Sequence, residues 1–128
     1  MSRLVSDFRL YLIDKIDGIS LDNSRTDTRD PDISGLQIVI NEIGAGSTPY
    51  VGHTLRKIIT VSVYGSDGAA YEIADAVLNK MMAVPAFPLR SFMVMHAHTP
   101  GDVARIGGIK ANMIQYDVTS TISYYEVE

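Results

Sequence analysis

A chain of 128 residues with no cysteine can form neither a disulfide nor a thiolate metal centre, and it is long enough to bury a hydrophobic core without such staples. Its formal net charge of −4 argues against binding nucleic acid by neutralising phosphates, yet leaves a mildly acidic wall past which DNA can slide. The hydrophobic fraction of 46% and charged fraction of 20% are those of a folded domain. No stretch approaches the roughly 20 apolar residues of a membrane span, and the N-terminus lacks an apolar run with a small-residue cleavage site.

Residues 4–16 read as a helix. Leu4, Phe8, Leu12 and Ile16 recur at four-residue spacing, and Val5 and Tyr11 widen the stripe. Arg3, Asp7, Asp14 and Lys15 fall mainly on the wet side, and Gly18 suits a left-handed stop. Residues 20–31 are almost wholly polar and read as a surface loop, closed by Asp30-Pro31. A strand follows over residues 35–43, then a glycine-rich stretch at 44–55, then a β-branched strand over 57–64. The two strands form an antiparallel hairpin with a long arm.

Gly65-Ser66-Asp67-Gly68 breaks the second strand and opens the clearest helix. Ala70, Ile73, Ala74, Val77, Leu78, Met81 and Met82 follow the helical period, Ser66 or Asp67 can cap the start, and Pro85 and Pro88 stop it. Residues 91–98 form a third strand and 112–126 the fourth. In the fourth, Ile114, Tyr116, Val118, Ile122 and Tyr124 share a face interrupted only by Ser120. Between these two lies a second glycine-rich arm, residues 99–111. The reading is one α+β domain over 1–128: a four-stranded antiparallel sheet, order α-β-β-α-β-β, with both helices on one face. The uncovered face would carry Val39, Ile58 and either Met93 and Met95 or Phe92 and Val94, a surface apolar enough to want a partner.

No catalytic signature is present, so no enzyme and no cofactor are expected. His96 and His98 lie two residues apart on a strand, a spacing that can chelate. A catalytic zinc also needs a third ligand, and His53 is the only other histidine, so no metal is assigned. Gly44-Ala-Gly46 starts like a phosphate loop but lacks the Lys-Ser/Thr ending and a following helix. The features left over are the two arms, since long connections of that kind are often functional. Tyr50, His53 and Arg56 on or beside the first arm, and His98, Asp102 and Arg105 on or beside the second, are the candidate subunit or partner contacts.

In order and texture the chain resembles the tail-terminator and minor-capsid (tail-completion) proteins of long-tailed bacteriophages. The resemblance rests on the helix at 4–16 and on Asp30-Pro31-Asp32 leading into Gly35-Leu-Gln-Ile-Val-Ile-Asn-Glu-Ile-Gly44. It continues with Lys57-Ile-Ile-Thr-Val-Ser-Val-Tyr-Gly65 running into Ala70-Tyr-Glu-Ile-Ala-Asp-Ala-Val-Leu78, and with the closing Ile122-Ser-Tyr-Tyr125. It implies a homo-oligomer, a hexameric ring in the virion, assembled in the host cytoplasm. That ring would cap the tail tube at its head-proximal end, stop its polymerisation and meet a head-completion or connector protein. DNA would pass the lumen without specific binding, and no membrane is involved. The alternatives are a neck or head–tail joining protein of the same fold and, from another class, a small metal-binding module or enzyme using His96 and His98.

Overall fold

The computed structural model describes residues 3–26, 28–32, 35–49, 55–83, 87–88, 92–98, 102–110 and 112–126. Helix α1 (Arg3–Lys15) forms on the expected stripe, burying Leu4, Val5, Phe8 and Leu12, with Ile16 buried just beyond its end. Asp7, expected on the wet side, is buried as well. The helix stops at Gly18, whose φ of +97° is a left-handed conformation that glycine adopts at little cost. Asn23 locks this turn: its Nδ2 donates to the Gly18 carbonyl (2.7 Å), and its Oδ1 accepts from the Ser20 N–H (2.8 Å). A Cβ at Gly18 would lie 2.8 Å from Cδ1 of Ile73 on helix α2 (Asp67–Ala83), so the turn also lets the two helices approach.

Among the described residues seven strands form one sheet: β1 (Ser24–Thr26), β2 (Gln37–Pro49), β3 (Leu55–Gly65), β4 (Phe87–Pro88), β5 (Phe92–His98), β6 (Ala104–Lys110) and β7 (Met113–Glu126). Their spatial order is β1-β2-β3-β7-β5-β4, and β6 pairs with β7 beside that path. The sheet is mixed, because β1 runs parallel to β2, Ser24 opposite Ile38 and Thr26 opposite Ile40. The expected four-stranded antiparallel sheet of order α-β-β-α-β-β is therefore wrong. Its errors lie in the stretches read as loops. The polar segment contains β1, the first arm continues β2 as far as Pro49, the stretch after α2 contains β4, and the second arm contains β6.

Strand β7 is the axis of the sheet. One side pairs with β3 from Ile114 to Tyr124. The other is shared: β6 lies along Met113 to Asp117 and β5 along Thr121 to Glu126. Strands β5 and β6 thus act as two pieces of one strand, both antiparallel to β7. The β6–β7 turn brings Lys110 opposite Met113 and sets Asn112 at φ 64°, a conformation that asparagine tolerates.

The core fills one face of this sheet. Ile38 and Ile40 from β2, Ile59, Val61 and Val63 from β3, Phe92 and Val94 from β5, and Tyr116, Val118, Ile122 and Tyr124 from β7 pack with both helices. Ala70, Ala74, Val77, Leu78 and Met81 supply the buried stripe of α2. The Ala70 N–H donates to the Ser66 carbonyl (2.8 Å), which fixes Ser66 at the N-cap position. Ser120, the polar interruption in β7, is fully buried opposite Ile59.

Candidate assembly surfaces

The sheet face away from the helices is less apolar than the sequence suggests. Phe92 and Val94 turn into the core, leaving the half-buried Met93 on the other face; the side chain of Met95 lies outside the described residues. Most of that outer face is hydroxyl, amide and carboxylate. Thr60 and Thr119 pair through their hydroxyls at 3.3 Å, and Gln115 donates to Asp117 at 3.0 Å. Val39 is buried.

One end of this face is covered by the chain itself. Gln37 is fully buried on β2, where its Oε1 accepts from the Asp30 N–H (2.7 Å) and its Nε2 donates to the Asp30 carbonyl (3.1 Å). Arg29 then lies over the Tyr64 ring at 5.6 Å and reaches Met113 Sδ at 3.8 Å. The polar loop is thus stitched across β2, β3 and β7. On the other side of β1, a shallow depression of about 330 Å³ is lined by Arg9, Leu21, Asp22, Ser24, Arg25 and Thr26. Its arginines are held by the loop: Arg9 donates to Ser24 Oγ and the Leu21 carbonyl, while Arg25 donates to the Thr28 carbonyl and pairs with Asp30. They work as staples of the loop.

At the opposite end the outer face is open and partly apolar. Ile43 (51% exposed) faces Ile58 (39% exposed) across the β2–β3 pair, and Tyr125 is exposed on β7. Just beyond Ile43 the register slips: the next pair is Thr48 with Arg56. On the core face beside this slip, Lys57 Nζ meets Glu42 Oε2 at 3.0 Å, with side-chain exposures of 7% and 19%. This ion pair was readable in principle. Both residues fall on the inward parity of their strands, with Ile38 and Ile40 on one and Ile59 and Val61 on the other.

Tyr50 and His53 lie outside the described residues. Arg56 is exposed opposite Ser123 on β7. His96 and His98 fall opposite Ser123 and Thr121. Asp102 is exposed and accepts from the Val103 N–H at 2.8 Å. Arg105 is exposed on β6 opposite Tyr116. Among the described residues, no group of three or more His, Asp or Glu is placed to hold a metal.

Arg105 belongs to a cluster that the sequence did not announce. Tyr116 donates a short hydrogen bond to Asp67 Oδ1 in the first turn of α2, and Tyr71 packs edge-on to the Tyr116 ring at 5.5 Å. A carboxylate there also meets the positive end of the helix dipole. The bond to Asp67 and then burial push the Tyr116 phenol above its ordinary value of 10.0, and Arg105 pulls it partly back. Burial foremost raises Tyr11 and Tyr64 as well. In each case the folded chain holds the phenolic proton more tightly than the unfolded chain. The resulting stability is intact below pH 10.0 and is lost as pH rises through the raised folded values. Urea midpoints are expected to fall as pH rises above 10.0, and the fall should be smaller in Tyr116→Phe. An unchanged slope in that variant would remove Tyr116 from the account.

The sequence matches no family model and no curated protein. In structure the chain is similar to a chain described as part of the "Virion of native gene transfer agent (GTA) particle". The TM-score is 0.58 at 13% sequence identity, and the match covers 98% of this chain and 100% of that one. The two share a fold along their whole lengths.

Proposed function

We propose that this chain is a structural protein of a phage-like virion, working as one non-catalytic domain in a ring. In this reading the ring, hexameric by resemblance to the tail terminators, caps the tail tube at the head-proximal end and ends its polymerisation. It then meets a head-completion or connector protein, while DNA passes a mildly acidic lumen unbound. The observation that carries the reading is the full-length likeness in fold to a chain of a gene transfer agent virion. The sequence resemblance to tail-completion proteins supports the same class independently. Tyr50, His53, Arg56, His98, Asp102 and Arg105 are the proposed subunit or partner contacts.

The test is mass by light scattering, then negative-stain imaging, alone and after mixing with purified tail tubes. A ring with a central hole that seats on tube ends is the expected result. A ring that ignores tubes but binds the head connector would move the chain to the neck. A monomer indifferent to both, or one carrying stoichiometric zinc, would overturn the reading.

A further inference from the structure

Among the described residues the sheet has two incompletely paired edges, and they match each other. Among the described residues, β2 is paired on its outer side only by β1, from Ile38 to Ile40. Among the described residues no strand lies along that side at 43–49. At the other end of the strand order, β4 covers β5 only at Met93 and Val94, and no described strand lies outside 96–98.

These open stretches lie at the same height in the sheet. Ile43 pairs with Ile58, Ile58 with Thr121 and Thr121 with His98, so a single row of residues runs from one open edge to the other. The strand directions also agree. Strand β2 is antiparallel to β3, β3 to β7, and β7 to β5. A second copy set beside the first in the same orientation therefore brings its β2 antiparallel to the first copy's β5, continuing the alternation without a break.

We propose that copies of this chain join head to tail by strand addition, the 43–48 edge of β2 in one copy lying antiparallel along the 96–98 edge of β5 in the next. The proposal rests on the ring reading above and names the contact that builds the ring. A second copy is the fitting occupant because head-to-tail addition uses both open edges of every subunit, and open edges are a liability that proteins cover. Pairing β5 with another β5 about a two-fold axis would stop at a dimer with both β2 edges still open. The same row carries Ile43 and Ile58, both exposed in the single chain and both beside the junction. A heterologous contact of this kind closes into a ring when its rotation divides the circle.

The chain has no cysteine, so introduced thiols report cleanly. Ile43→Cys and His98→Cys are made separately and treated with a bis-maleimide spanning about 10 Å, roughly two strand spacings, so that a small register offset does not matter. Each variant alone should remain uncross-linked, and an equimolar mixture should give a dimer band. A chain carrying both changes should give a ladder that ends at the subunit number of the ring. Cross-linking within either single-variant sample overturns the proposal in favour of two-fold pairing. Rings that form without cross-links overturn the edge assignment and leave the ring reading standing. A monomer by light scattering overturns the ring reading, and this proposal with it.

Discussion

Phe8→Ala is expected to destabilise the chain by about 3–5 kcal/mol, seen as a large fall in the urea midpoint at unchanged slope. Phe8 is completely buried and sits at the middle of the α1 stripe, between Leu4 and Leu12. Truncation removes the transfer free energy of the ring and leaves a cavity between α1 and the sheet. The neighbours cannot close over it, because α1 is fixed at its C-terminal end by the Gly18 turn and beside it by Arg9, which bonds Ser24 Oγ at 2.8 Å and the Leu21 carbonyl at 3.0 Å. A domain of this size has about 5–15 kcal/mol of stability in all, so the variant should be partly unfolded on warming. Leu10→Ala is the control. Leu10 lies on the same helix at 40% exposure, and its change should stay within about 0.5 kcal/mol. Equal losses at the two positions would show that helix propensity, not packing, sets the effect.

What the sequence revealed followed from periodicity. The α1 stripe, the α2 stripe and the even positions of β7 each repeat over several turns or alternations, and each lies on the core side. Gly18 was legible because a left-handed stop needs a glycine-like residue. The hidden elements have no period to read. Strand β1 is three residues, Ser24 to Thr26, inside a polar stretch, and only its parallel partner β2 reveals it. Strand β6 reads Ala-Arg-Ile-Gly-Gly-Ile-Lys, and the register shifts at Ile106 and at Ile109, so both isoleucines fall on irregularities and the two-residue alternation is lost. The continuation of β2 past Ile43 carries two glycines and Pro49, a composition that marks turns in isolation. Long-range pairing overrode local propensity in all three places. The candidate contacts were harder still, because a partner surface is defined by what it meets and leaves no spacing rule within one chain.

The base of the β2–β3 arm sets the Lys57–Glu42 ion pair beside the register slip. Lys57→Ala is expected to cost about 3 kcal/mol, because it removes the ammonium that balances the Glu42 carboxylate in a mostly buried position on the core face. Glu42 keeps 19% side-chain exposure, which admits some water and holds the cost at the lower end of the range for a broken buried pair. The pair itself contributes little net stability, since removing two charges from water offsets most of their attraction at 3.0 Å. The double change Lys57→Met with Glu42→Leu should therefore recover most of the loss, and a urea-unfolding cycle of the two singles and the double measures the coupling. Equal losses in the single and the double would assign the effect to packing of the lysine stem. If the pair instead serves to fix the register slip between Ile43 and Thr48, the double variant will be stable yet cross-link less through Ile43→Cys than the parent. In that outcome the charge pair positions the arm, and its retention in an otherwise apolar corner has a reason that stability alone does not supply.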